Sequence, residues 1–277
     1  MRTSPSLRLV TETRPPSLVE SVTRAASRQV RTEVRVGLPE DSTGWVNCAE
    51  LLSAPDGFTL WRQELAGWLH DRYSEAPERT TAGYVMSWYL GVPGYLAALL
   101  FHHERRVPSL RPEHLAFHKA RPRPHPDSIA VLDESFVCLP DDPAAGTANA
   151  TVVPTEKALA AVLRGRFTAH AARFVAAFSG TVRFGRHTLW AAATDAIDHS
   201  MWLVGRYAGD ETAGVMDANL LLPDRFAPLT SGSTLRPIIE DDGRTGWTRR
   251  REACCFHYLM EAGQGVCETC PRVCGKS

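Results

Sequence analysis

The 277-residue chain lacks any excess of charge: 31 basic side chains stand against 31 acidic ones. A field of one sign, which gathers nucleic acid or an anionic membrane surface, is therefore not expected, and neither is a nucleic-acid partner. Gly-x-Gly-x-x-Gly and Walker-type loops are missing, so nothing indicates a resident flavin, nicotinamide or nucleotide. No Gly-x-Ser-x-Gly elbow supports Ser-His-Asp chemistry. Repeats and low-complexity blocks are absent as well. The first 36 residues are rich in Arg, Ser and Thr but hold no uninterrupted apolar run of the kind a secretory signal needs, which sets the expectation of a cytoplasmic protein. Only one stretch, Tyr84 to Phe101, runs eighteen residues without a charge. Gly91-Val92-Pro93-Gly94 divides it, so two buried helices joined by a kink are expected there and no membrane span.

Cysteine is also scarce, at seven residues, yet five of the seven lie in the last 24 positions: Cys254, Cys255, Cys267, Cys270 and Cys274. A reducing compartment suits an odd, crowded set of thiols better than a disulfide framework does. Such a density supplies enough soft ligands for a metal ion or an iron–sulfur centre. A zinc ribbon uses two Cys-x2-Cys arms, and only Cys267-x2-Cys270 has that form. The other arm is an adjacent pair, Cys254-Cys255. Neighbouring side chains point to opposite faces of a strand and lie about 100° apart on a helix, so the pair needs either a turn or a target larger than one ion. A [2Fe–2S] rhomb, with two irons and four terminal thiolate positions, is such a target.

The run Arg249-Arg250-Arg251-Glu252-Ala253-Cys254-Cys255 … Cys267-Glu268-Thr269-Cys270-Pro271 resembles the C-terminal signature of the FhuF-type ferric-siderophore reductases, Cys-Cys-x10-Cys-x2-Cys. Here eleven residues separate the arms where the family has ten. More weakly, the likeness extends to Trp88-Tyr89-Leu90-Gly91-Val92-Pro93 and to Trp190–Trp202, covering residues 45 to 277. The resemblance implies a [2Fe–2S] cofactor held by Cys254, Cys255, Cys267 and Cys270. It implies an enzyme that reduces ferric siderophores by one electron so that Fe(II) is released, and a separate electron donor such as a reduced flavin or a ferredoxin-like protein. Two other classes stay open: a binding module stabilised by a four-cysteine zinc site, and an iron–sulfur redox sensor.

The expected fold is α+β, a mainly helical body with a small antiparallel sheet and a C-terminal cysteine-rich cluster-binding segment. Its expected divisions are a partly mobile leader (1–40), a body (41–243) and the cluster segment (244–277). Helical spacing of apolar residues predicts helices over 18–34, 59–73, 156–178 and 187–207. Around Asp133-Glu134-Ser135, the runs Ile129–Leu132 and Phe136–Leu139 read as a β-hairpin. Prolines at 108, 112, 122, 124 and 126 exclude a long helix between 105 and 127, where Arg105, Arg106, Arg111, Lys119, Arg121 and Arg123 form either an electropositive wall or a solvated loop. Arg249, Arg250 and Arg251 are either positive charge beside the cluster or a solvated run. Within the ligand loop, His257 and Tyr258 are candidates for shielding the cluster. Cys274 is a spare thiol. His102-His103 and His114-x3-His118 have ligand-like spacing but no accompanying carboxylate or cysteine motif.

Overall fold

The computed structural model describes residues 15–29, 32–239, 243–261 and 269–272. In chain order the elements are α1 (Leu18–Ala26), β1 (Glu33–Val36), β2 (Trp45–Asn47), α2 (Cys48–Ser53), α3 (Gly57–Tyr73), α4 (Glu78–Glu104), β3 (Val107–Pro108), β4 (Leu115–Lys119), β5 (Pro126–Val131), β6 (Phe136–Cys138), β7 (Ala150–Val152), α5 (Glu156–Ser179), α6 (Arg186–Tyr207), α7 (Glu211–Leu221), β8 (Leu235–Ile239) and β9 (Thr245–Arg249). The chain is α+β and mainly helical, with small, mostly antiparallel sheets.

The axis of the body is α4. It is apolar on every side, and Tyr89, Leu90 and Leu96 to Phe101 are without solvent contact, the mark of a helix enclosed by others. The expected break at Pro93 does not occur: α4 is one continuous helix. An internal proline removes a hydrogen bond and costs about 3 kcal/mol, but burial of each surrounding Leu or Phe returns about 2 kcal/mol. Among the described residues it is the one helix long and apolar enough to cross a membrane, and 78% of that apolar window is buried within the protein.

Helices α1, α3, α5 and α6 surround α4, and α7 closes on α6. That last approach requires glycine, since a Cβ on Gly205 would sit 2.5 Å from the Gly214 Cα. A capping box opens α1: the Ser17 hydroxyl accepts from the Glu20 amide and the Glu20 carboxylate accepts from the Ser17 amide. This helix stops at Ala26, well short of residue 34, because the chain next joins a sheet as β1. Leu18, Val22 and Ala25 are buried, so this part of the expected leader packs on the body.

The four-stranded sheet has the order β1-β5-β4-β2, with β1 parallel to β5 and the other pairs antiparallel. The second sheet, β3-β6-β7, contains the strand expected to pair with β5. The predicted hairpin is therefore absent. Both edges of β5 are already taken by β1 and β4, and the Asp133 carboxylate accepts from the Ser135 amide (2.9 Å), a turn that redirects the chain into the second sheet. Of the basic residues expected to form either an electropositive wall or a solvated loop, Arg106 is instead buried to 2% exposure. It forms a two-pronged ion pair with Asp142 (2.6 and 2.7 Å) and donates to the Pro16 and Ser17 carbonyls.

Candidate functional site

The hairpin β8–β9 delivers the cysteine segment to the body, and two carboxylates of α6 hold it there. Asp198 accepts from the Ser233 hydroxyl (2.7 Å) and from the Thr234 amide (3.1 Å), just before β8. One turn away, Asp195 accepts from the Glu252 amide (2.9 Å) and the Ala253 amide (2.8 Å), just after β9. Arg249 donates to the Asp195 carbonyl oxygen (3.0 Å), and its guanidinium stands 3.9 Å from the carboxylate. Burial pushes Asp195 up to about 6, against the downward pull of Arg249 and the two amides. The clamp fixes the residues immediately before Cys254.

Beyond it the chain is held by the first turns of α4. The Thr80 hydroxyl donates to the Phe256 carbonyl (2.8 Å), and the Tyr84 hydroxyl contacts His257 Nδ1 at 2.6 Å. Between them Gly83 gives the arm room, because a Cβ there would lie 2.8 Å from the Cys255 carbonyl oxygen. Phe256 has φ +59°, the left-handed region that a bulky residue enters only at a cost of roughly 1–2 kcal/mol. Its ring is secured by stacking on Phe184 (5.0 Å, 18°) and by Arg79 at 5.2 Å. The sequence asks for a turn or a larger target at the adjacent cysteine pair, and the left-handed Phe256 directly follows that pair. The Phe256 amide donates back to Cys254 Sγ at 3.3 Å.

The second arm meets the first through the backbone: the Arg251 amide donates to the Thr269 carbonyl (3.2 Å), which sets Cys270 beside the pair. Arg272 covers the Tyr258 ring at 3.9 Å. Burial raises the Cys254 thiol; the Phe256 amide draws it down, Cys255 and Cys270 push it further up, and Arg251 draws it down. Tyr84 is raised by burial and next by Cys255. Cys254, Cys255 and Cys270 thus share one electrostatic neighbourhood with Tyr84. Cys267 and Cys274 lie outside the described residues. Of the arginine run only Arg250 is a solvated side chain; Arg249 is buried in the clamp.

All five described cysteines are free thiols, and Cys48 and Cys138 are core residues away from this site. Among the described residues no three His, Cys, Asp or Glu side chains gather around a single ion. The tempting histidines are engaged elsewhere: His102 with Asp217 (2.7 Å), His103 with Gln29 (3.1 Å), His114 with Ser109 (2.8 Å) and His118 with Asp127 (2.8 Å). The donor chemistry itself, the soft sulfurs of Cys254, Cys255 and Cys270 on one segment with an amide directed at the Cys254 sulfur, fits an iron–sulfur cluster.

Thr80, Gly83, Tyr84 and Asp195 were not identified from the sequence. Asp195 left a trace there, since Asp195 and Asp198 are the only acidic residues in an apolar helix and lie three apart, on one face. Gly83 and Thr80 left none, because a contact with a segment more than 170 residues away has no local signature.

Residues 251–272 match the family model of the FhuF 2Fe-2S C-terminal domain. No curated protein matches the chain. The matched span begins at the arginine whose amide joins the two arms and closes two residues after Cys270. The cofactor of such a domain is a [2Fe–2S] cluster.

Proposed function

We propose that this chain, an iron–sulfur protein of the FhuF type, is a cytoplasmic ferric-siderophore reductase. Cys254, Cys255, Cys267 and Cys270 would hold the cluster, at the end of a 41–243 body and within a 244–277 segment. When bound, the cluster supplies single-electron chemistry. The observation that carries the reading is the double anchoring of the cysteine segment, by Asp195 on α6 and by Thr80, Gly83 and Tyr84 on α4. A segment held at this many points is positioned against the body, as a redox centre that must meet a substrate needs to be.

The substrate chemistry is simple to balance. Siderophores bind Fe(III) through hard anionic oxygens; the ferric ion gains one electron, the donor loses one, and the Fe(II) formed is held far more weakly. No proton or group is transferred. Since no nucleotide or flavin fingerprint exists in the sequence, the electron comes from a separate reduced flavin or ferredoxin-like protein. The chain's own work is to hold the cysteines, to place the Phe256 amide against Cys254 Sγ, and to keep Arg251 near Cys254, whose thiol it draws down against the effect of burial.

The deciding experiment uses protein purified without oxygen, with iron, sulfide and zinc measured on one sample, and absorption and EPR before and after dithionite. Two irons and two sulfides per chain, bleaching visible bands and a new spin-half signal are expected. Mixing the reduced protein with a ferric siderophore in stopped flow then restores the colour faster than buffer does. Changing any one of Cys254, Cys255, Cys267 or Cys270 to Ser abolishes the colour, and Cys274→Ser keeps it. A colourless protein with one zinc would establish the zinc module instead, and a cluster indifferent to ferric siderophores would remove that substrate class.

A further inference from the structure

We propose that the cleft between α4, α6 and the loop before β5 is where the ferric complex sits, and that it selects complexes carrying negative charge. The inference rests on the reductase reading above and adds the place and the sign of the substrate. The cleft measures 480 Å³, within the range of small-ligand sites, and Trp88, Tyr95, Arg123, His125 and His199 are among its lining residues.

Its position relative to the cysteine arm follows from the two anchoring helices. On α4, Tyr84 touches the arm and Trp88, four residues on, faces the cleft; the two rings are stacked at 5.6 Å and 12°. On α6, Asp195 holds the arm and His199, again four residues on, lines the cleft. Residues four apart on a helix share a face, so both helices carry the arm and the cleft on one side, one turn apart. From Gly83, against Cys255, to Gly91 in the cleft is about 12 Å along the helix at 1.5 Å per residue.

The chemistry of the lining gives the sign. Arg123 lies 5.1 Å from the Trp88 ring and 5.5 Å from the Trp68 ring, so its guanidinium is placed by two aromatic surfaces, and among the described residues no carboxylate pairs with it. His125 rests against Trp88 at 6.0 Å. The single carboxylate in the lining, Asp127, is hydrogen-bonded to His118 Nδ1 at 2.8 Å. An anionic chelate with a flat organic periphery would meet Arg123 with its charge and Trp88 with its rings. A larger basic cleft of 690 Å³ lies between α5 and residues 109–114. There Arg173 is paired with Glu113 and Arg166 is bonded to the Val107 carbonyl, and its lining shares no residue with the turns that hold the arm.

Calorimetry on the holoprotein tests this with redox-inert gallium(III) complexes, one a trianionic hexadentate tricatecholate and one a neutral trihydroxamate. The trianion binds saturably, one per chain, at least tenfold tighter than the neutral complex. Arg123→Gln and Trp88→Leu each weaken it tenfold or more, and Arg111→Ala, in the other basic cleft, does not. Absence of saturable binding, equal affinity for the two complexes, or wild-type affinity in both cleft variants would overturn the proposal. The two readings fail separately. If the ferric tricatecholate reoxidises the reduced wild type and both cleft variants at the same rate, the cleft assignment falls and the reductase stands. If the gallium trianion behaves as expected while no ferric complex reoxidises the protein, the cleft stands as an anion site and the reductase falls.

Discussion

Replacing Gly83 by alanine separates the stability of the helical body from that of the cysteine site. The added methyl would be 2.8 Å from the Cys255 carbonyl oxygen, 3.1 Å from its carbon and 3.2 Å from the Phe256 ring. A carbon normally stops at about 3.3 Å from a carbonyl oxygen, so the arm must retreat by roughly 0.5 Å. Two of the three close atoms are backbone, which has no alternative rotamer. The retreat stretches the Thr80–Phe256 and Tyr84–His257 contacts, each worth about 1 kcal/mol, and adds an overpacking cost of about 1–3 kcal/mol. Against this, alanine gains about 1 kcal/mol over glycine inside a helix. The body of Gly83→Ala should therefore melt within a few degrees of wild type, while its iron content falls to less than half and its visible bands shift. Gly165→Ala, with nothing within 4 Å of the new methyl, gains stability and keeps full iron. If Gly83→Ala retains two irons per chain, an unchanged spectrum and an unchanged potential, the cradle on α4 does not position the cysteine arm.

Three further outcomes follow from buried polar groups. Asp195→Ala leaves the Glu252 and Ala253 amides without their acceptor and removes the carboxylate beside Arg249; at ~1–3 kcal/mol per orphaned group, protease cleavage near residue 250 becomes faster and iron occupancy drops, whereas full occupancy would refute the clamp. Arg106→Met leaves Asp142 uncompensated and costs about 3–5 kcal/mol in urea unfolding, and adding Asp142→Leu recovers most of it; no recovery would mean that the pair is not the cause. His170 places Nδ1 2.7 Å from the Leu110 carbonyl, an acceptor, and Nε2 2.9 Å from the Tyr89 hydroxyl, so the neutral imidazole that burial favours keeps a partner on each nitrogen. Burial lowers it to about 4, the Leu110 bond and Glu113 oppose this, and Arg173 assists it. The unfolded chain takes up this proton at about 6.5 and the folded one only at about 4. The contribution of His170, about 3 kcal/mol, is thus whole above pH 6.5 and is lost as the pH falls toward 4. His170→Gln should lose that acid limb, seen as a flatter urea midpoint between pH 6.5 and 4; an unchanged slope would refute the assignment.

The sequence determined those features whose cause is local. The period of apolar residues was sufficient for α3, α5 and α6, because a helix that must bury one face repeats it every three to four positions. Even there, Leu60, an apolar residue within the predicted helix 59–73, is 57% exposed, since periodicity marks a face and does not say how much of it is covered. The cysteine segment was legible for the same local reason, four sulfurs at ligand spacing within seventeen residues. What the tertiary structure decided is everything that depends on a partner distant in the chain. It continued α4 through Pro93, sent Phe136–Cys138 to a second sheet, and turned Arg106 from an apparent surface charge into a buried ion pair. It also assigned Asp195, Thr80, Gly83 and Tyr84 to the cysteine arm. Spacing along the chain can record which residues are candidate ligands; which surfaces hold the segment that carries them is set by packing between segments, and no local pattern encodes it.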